Sequence, residues 1–413
     1  MTNDRKTILI VSQVFSPDPT SVGQHLADTA FELAARGHRV VVLTSRRGYD
    51  DPSVKYPFRE TLNGVAVIRL PFSSFGKRWL ALRTVAAVIF LSLATVVGLF
   101  VHPLDIVLVS TSPPFASAAG VVIATLRRKP LKYWVMDLNP DQMIALGLLS
   151  PTSVVARLVD RLNVLALKRA NSVIVPDRMM ALRVNAKVDV HEKLAIVPPW
   201  AHEDQLIDVP HDQNRFRHEH GLDGKFVVMY SGNHSPSNPL ATILDAAARL
   251  RDEPDLVFVF IGSGAGKRAI EQYPHDNVVS LPYQPLADLR YSLSAADVHI
   301  VSIGNPMVGV IHPCKVYGAM AIGRPVIVLG PSESPLAELL SQSNFGWRVS
   351  HGDVEAAERL LRTILLMPRA DLAELGATGR KLLAESFSKQ ALCGAVCDAI
   401  VGDPAGSFRT TRN

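Results

Sequence analysis

The sequence predicts an α/β protein built from two successive doubly wound, Rossmann-like halves. Short apolar runs alternate with stretches whose apolar residues recur at helical spacing. The alternation stops in a polar stretch at 201–224 and then begins again. At 413 residues the chain is longer than one compact core accommodates.

The elements follow in order. Lys6 to Val14 is an apolar run of the kind that a parallel strand buried on both faces requires. A loop rich in Ser, Pro, Asp and Thr runs from Phe15 to Gly23. Leu26, Ala30, Leu33 and Ala34 predict a helix over 24–36, closed by Gly37. Arg39 to Thr44 is the second strand. Together these make the first β-α-β crossover of a doubly wound sheet, whose ligands lie beyond the carboxyl ends of the strands. The loop has no GxGxxG pattern, which argues against a nicotinamide oxidoreductase. Further strands are expected at 65–70, 105–110, 131–136, 172–175 and 194–197, and helices at 153–169 and 178–186. Pro198-Pro199-Trp200 ends this half, residues 1–200, and 201–224 is expected as an irregular linker. The second half, 225–387, has strands at 226–230, 256–261, 278–281, 298–302, 325–329 and 345–349. Its helices are expected at 240–250, from about 265, at 313–323, 355–366 and 370–385. A terminal helix, 388–401, is a candidate to pack back on the first half. The tail 402–413 is expected to be disordered. Two such halves would enclose a cleft facing the carboxyl ends of both sheets.

Apolar content of 48% and charged content of 20% fit a globular chain. The three cysteines, Cys314, Cys393 and Cys397, form neither a disulfide framework nor a zinc pattern, and fit a reducing cytoplasmic setting. The polar N-terminus leads straight into a strand, so no signal peptide is expected. The net charge of +5 divides into +10 for residues 1–200 and −5 for the remainder. The basic half suits an anionic membrane or an ordinary solvated surface. No nucleic-acid-binding signature accompanies it.

Residues 84–101 are 18 in a row without a charge. A spanning helix, a wholly buried core helix and a helix dipped into one leaflet all stay open. Arg83 and Lys77 before the run, and Arg127, Arg128, Lys129 and Lys132 beyond it, would supply a basic rim for the third.

The segment from His312 to Gly330 reads as a helix opened by Pro313, then an apolar strand. A lysine in a first helical turn is ordinarily disfavoured, so Lys315 is the candidate ligand of a diphosphate. Lys267, Arg268 and Arg324 stand behind it. Gly23, Gly262 and Gly264 would let backbone approach a ligand closely, or serve as ordinary turn glycines. Asn233 ends a strand and could bond sugar or phosphate. Asp137 follows the strand at 131–136 and could take an acceptor proton, with Asp141 competing for the role. His25 is a weaker catalytic candidate. No metal-binding pair is present, so a metal-independent reaction without cofactor is expected.

Four segments together carry a family resemblance. They are Gly23…His25-Leu-Ala…Gly37-His38-Arg-Val, Tyr230-Ser-Gly-Asn233, Phe260-Ile-Gly-Ser-Gly264 and Pro313-Cys-Lys-Val-Tyr-Gly-Ala-Met-Ala-Ile-Gly-Arg-Pro325. Over nearly its whole length the chain resembles a family 4 glycosyltransferase of the GT-B fold. Asp105 to Pro114 and Val197 to Ala201 resemble the bacterial O-antigen, capsule and colanic-acid-type transferases. The resemblance implies a retaining transfer from a nucleotide-sugar, UDP favoured over GDP. It implies a polyprenyl-diphosphate-linked acceptor and a peripheral place on the cytoplasmic face of the inner membrane. Tyr283, Tyr317 and Gly318 complete the candidate donor-contacting set. Gly318 departs from the family, which often has a ribose-binding glutamate there. No acidic residue occurs from Gly304 to Ser332, and no Lys or Arg between Tyr230 and Arg249. A soluble transferase acting on a small molecule, and a non-catalytic nucleotide-binding GT-B protein, are the alternatives.

Overall fold

The computed structural model describes residues 5–18, 20–48, 51, 53–71, 80–201 and 207–402, with side chains from residue 85 onward in the helix that begins at 80. The chain divides into two units. The first takes in Met1–Pro199, Gly309–Ile311 and Gln390–Asn413, the second Trp200–Val308 and His312–Lys389.

The first unit holds an eight-stranded sheet. Its strands are β1 (Thr7–Val11), β2 (Arg39–Ser45), β3 (Arg59–Leu62), β4 (Val65–Leu70), β5 (Ile106–Val109), β6 (Leu131–Trp134), β7 (Ser172–Val175) and β8 (Leu194–Ile196). They lie in the order β3-β4-β2-β1-β5-β6-β7-β8. All pairs are parallel except β3 with β4, which turn back through Asn63 and Gly64, both at positive φ. Strand β1 is fully buried, with Ile8 beside Val40 on one side and Ile106 on the other. Burying each such aliphatic side chain contributes about 1.5–3 kcal/mol.

Helices α1 (Ser21–Ala35), α2 (Leu80–Leu99), α3 (Ala116–Leu126), α4 (Asp141–Ala145), α5 (Val154–Arg169) and α6 (Arg178–Lys187) surround this sheet. Helix α1 starts three residues earlier than its apolar spacing suggests, because the Thr20 hydroxyl caps the Gly23 N–H. Gly23 therefore lies in the first helical turn and not in a loop. A Cβ there would stand 2.8 Å from the Thr20 hydroxyl and 3.3 Å from the Phe15 nitrogen. Close packing onto the preceding loop accounts for this glycine.

Helix α2 buries Ala86, Phe90, Ala94 and Gly98 at every fourth position and exposes Val85, Val88 and Val96, with Phe100 just beyond it. It is thus not wholly buried. Among the described residues no helix is long and apolar enough to cross a membrane.

The second unit has strands β9 (Phe226–Ser231), β10 (Leu256–Ile261), β11 (Val278–Leu281), β12 (Val298–Ser302), β13 (Val326–Leu329) and β14 (Gly346–Val349). Their order is β11-β10-β9-β12-β13-β14, all parallel. This is the Rossmann strand order, with its switch point at β9. Its helices are α7 (Arg215–Glu219), α8 (Ala241–Arg249), α9 (Lys267–Glu271), α10 (Leu289–Ser294), α11 (Lys315–Ala321), α12 (Pro335–Gln342), α13 (Val354–Leu365) and α14 (Arg369–Ser386).

The stretch expected as an irregular linker is largely part of this unit from residue 207 on; residues 202–206 lie outside the described residues. Phe216 and Arg217 are buried, and Arg217 donates to the carbonyls of Ala295, Leu222 and Lys225 at 2.5–2.6 Å. Polar composition hid a segment whose arginine spends its donors on backbone.

The last helix, α15 (Lys389–Val401), belongs to the first unit from Gln390 on. It buries Cys393, Val396, Cys397 and Ile400, and Asp398 pairs with Arg36 at 2.6 Å. Lys6 donates to the Val401 carbonyl and Lys132 to the Gly402 carbonyl, cations meeting the negative end of a helix. Lys132 is 3% exposed, so it is not part of a basic surface patch. The expected disordered tail, from 403, lies outside the described residues.

Helix α11 is seated by α14, where a Cβ on Gly376 would overlap the Gly323 backbone. Gly376→Ala should therefore cost about 1–3 kcal/mol of stability, read as a lower urea midpoint. An unchanged midpoint would contradict this packing.

Candidate functional site

The candidate site of the second unit starts at the carboxyl end of β9. There the chain leaves the sheet through Ser231, Gly232, Asn233 and His234. Beside it β10 ends in Gly262-Ser263-Gly264. Gly232, Gly262 and Gly264 have φ of 139°, 135° and 138°, a region that side chains rarely adopt. A Cβ on Gly262 would overlap the Gly232 carbonyl, and one on Gly264 would overlap the Asn233 side chain. The glycines let the two loops stack without a layer of side chains between them.

Lys315 enters this notch from α11. The helix begins at Lys315, two residues later than expected, with Pro313 outside it. At seven residues it offers little dipole, so the lysine side chain carries the positive charge. Its ammonium donates to the Tyr230 hydroxyl and to the Asn233 carbonyl at 3.3 Å, and lies 4.3 Å from the Tyr230 ring centre. A Cβ on Gly232 would overlap the lysine's Cε. Burial lowers the Lys315 pKa to about 7. Burial also raises the pKa of the Tyr230 hydroxyl, which donates to the Asn233 carbonyl at 2.7 Å.

The other predicted residues of this unit divide. Tyr283 is half exposed, and its ring edge would lie 3.4 Å from a Cβ on Gly262, so it borders the notch. The Asn233 side chain is exposed there too. Lys267 is already engaged, donating to the Gly262 and Leu281 carbonyls at 2.7 and 2.9 Å. Arg324 is drawn off to Asp208 at 3.0 Å. Tyr317 is 1% exposed and shares a 2.9 Å hydrogen bond with His312, so it braces α11 instead of facing a ligand. At Gly318 a Cβ would meet only the Leu293 Cδ1, at 3.7 Å. A single added carbon would make only ordinary contact there. The sequence reading missed Tyr230, Gly232 and His234 as individual contributors, although the Ser-Gly-Asn-His turn after a strand was a visible signal.

Gly23, His25 and Asp137 belong to the first unit. His25 is 2% exposed and its Nδ1 donates to the Ser21 carbonyl at 2.7 Å, a bond within α1. Asp137 is half-buried beyond β6. Its N–H donates to the Thr111 hydroxyl at 3.2 Å, and it bridges to Ile311. Burial lifts its carboxyl to about 6. It lines a small pocket whose polar residues include Thr111, Asn139, Tyr133 and Asn163. Asp141, the rival candidate, is held by Lys187 at 2.9 Å and Arg183 at 3.4 Å.

Two Rossmann-like halves, one with a desolvated lysine at its switch point, are the frame of a GT-B glycosyltransferase. The halves match separate families: residues 20–200 the glycosyl transferase 4-like domain, and residues 225–366 the glycosyl transferases group 1. The chain belongs to these glycosyltransferases. It is 28% identical over 293 residues to glycosyltransferase WbjE of Pseudomonas aeruginosa, covering 69% of this chain and 71% of WbjE. It is 26% identical over 411 residues to the colanic acid biosynthesis glycosyl transferase WcaI of Escherichia coli K12, covering 93% of this chain and 98% of WcaI. Anabaena HepE, solved in complex with UDP and glucose, shares the fold with a TM-score of 0.72 at 16% identity, over 96% of this chain and all of that one.

Gly232→Ala puts a side chain at a positive φ and in the lysine's path, so it should lower the melting point and displace Lys315 from the notch. If the notch holds a diphosphate, its binding should weaken at least as much as in Lys315→Ala, by about 10- to 100-fold for loss of a charged hydrogen bond. Calorimetric titration checks this, and wild-type affinity in Gly232→Ala would refute the placement.

Proposed function

We propose that the protein transfers a sugar from a nucleotide-sugar, UDP in preference to GDP, to a polyprenyl-diphosphate-linked glycan in bacterial surface polysaccharide synthesis. The transfer retains anomeric configuration and needs no metal. The observation that carries this reading is Lys315: a half-buried ammonium whose contacts are a hydroxyl, a carbonyl and an aromatic face. Such a group is held ready for an anion. As the glycosidic bond breaks, charge grows on the leaving diphosphate, and a fixed cation in a low-dielectric notch stabilises that charge. Asp137 accepts the acceptor's proton, its carboxyl tuned toward neutrality. The name of WcaI supports the polysaccharide setting, and the UDP bound by HepE supports the donor. A thermal-shift panel of UDP, GDP and TDP tests the donor; UDP should raise the melting point most. No response to any of the three would sink the reading. EDTA should leave transfer intact.

The two tuned groups set a pH profile. The donor kcat/KM reports the free enzyme. It should rise through about 6 as Asp137 ionises and fall above about 7 as Lys315 loses the proton that anion binding needs. Lys315→Arg, which stays charged, should erase the falling limb. Asp137→Asn should erase the rising limb and lower turnover. A profile flat from pH 5 to 9 would contradict both roles.

The acceptor's lipid calls for a membrane surface. Helices α2, α3 and α5 pack side by side. They expose Val88 and Val96, Leu126, and Val154, Val155 and Leu158. Arg157 and Arg161 are exposed on α5, and Arg128 beyond α3. An apolar face with basic residues suits the inner, anionic leaflet. At about 1 kcal/mol per arginine, replacing Arg157 and Arg161 by alanine should weaken sedimentation with anionic vesicles about 30-fold. Indifference of the wild-type protein to such vesicles would favour a soluble acceptor.

A further inference from the structure

His234 is 1% exposed, and neither of its ring nitrogens has a hydrogen-bond partner among the described residues. A neutral imidazole carries one N–H donor and one acceptor. Leaving both unpaired in the interior incurs a desolvation penalty that native structures ordinarily avoid. The residue is held firmly. Its N–H donates to the Ser263 carbonyl and its carbonyl accepts from Gly266, both at 2.8 Å. Its ring packs 5.4 Å from the ring of Tyr230, the side chain whose hydroxyl receives Lys315.

The electrostatic setting is one-sided. The charged groups acting on the imidazole are Lys267 of α9 and Lys315 of α11, and β9 contributes the neutral Tyr230. Burial and the two cations hold the ring neutral, its pKa lowered to about 4. The loop after β9 has no Lys or Arg of its own before Arg249, and Lys267 spends its donors on two carbonyls. Of these two lysines, only Lys315 then has a donor left for a diphosphate.

We propose that His234 is a second ligand of the donor diphosphate, giving its unpaired ring N–H to a phosphate oxygen and gaining a proton from solvent as the anion arrives. The proposal rests on the nucleotide-sugar reading of this notch. Two negative charges reverse the field that kept the ring neutral, so the second ring nitrogen can take a proton. One N–H bond forms as an O–H bond of the hydronium that delivers the proton breaks. The loop, which has no Lys or Arg before Arg249, thereby supplies a residue that is uncharged while the site is empty.

The test uses the full chain and UDP. His234→Gln and His234→Phe, the latter keeping the stack on Tyr230, should weaken UDP about 10- to 100-fold by calorimetry. Without ligand, His234→Phe, which removes the two unpaired nitrogens, should melt no lower than the wild type. In wild-type protein carrying ring-15N histidine, UDP should move one pair of ring resonances into the imidazolium range, independently of how any variant folds. The proposal is overturned if Lys315→Ala loses UDP while both His234 variants bind normally and no ring resonance moves. The nucleotide reading would then survive without it. If wild-type protein binds none of UDP, GDP and TDP, both fall together.

Discussion

A lysine ammonium with no carboxylate beside it among the described residues organises the second unit's site. Water would solvate such a charge far better than the notch does, and burial accordingly lowers the Lys315 pKa to about 7. A chain built only for stability would pair this charge or replace it. Here the surroundings fix it in place. Gly232 gives it passage, the Tyr230 hydroxyl and the Asn233 carbonyl set its direction, and the stacked loops at Gly262 and Gly264 define the notch. Sites that keep such an electrostatic debt usually settle it with a ligand.

The same physical cause acts with opposite sign in the first unit. Burial disfavours charge, so it raises the Asp137 carboxyl to about 6 as it lowers the Lys315 ammonium to about 7. An acid and a base ordinarily more than six units apart are brought to within about one unit of neutrality. Neither shift needs a neighbouring charge as its main source. The tuning resides in how the strands and loops exclude water.

The sheets were legible in the sequence because parallel strands are buried on both faces and read as unbroken apolar runs; Leu256–Ile261 and Ser172–Val175 are found where expected. Strand β3 escaped notice because Arg59–Leu62 is a half-exposed edge with no such run. Lys315 could be picked out as an oddly placed cation, but its partner Tyr230 is 85 residues away and no local pattern links them. Tyr317 belongs to the donor-contacting set that the resemblance implies, yet its hydroxyl bonds to His312. His25 looked catalytic from its place in a family motif, whereas its ring closes the first turn of its own helix. Periodicity reports burial. It does not report which polar groups find one another.

Residues 309–311 and the chain from 390 on belong with the first unit although they are flanked or preceded by the second. The polypeptide therefore passes from one unit to the other four times. Cys397 and Ile400, contributed by the far end of the chain, are part of the first unit's interior. The two halves look modular in sequence, yet neither is a contiguous cassette. A fragment ending at Pro199 would lack the helix that covers its own core, and exchanging halves between relatives by one splice at the polar stretch would sever pieces that fold together.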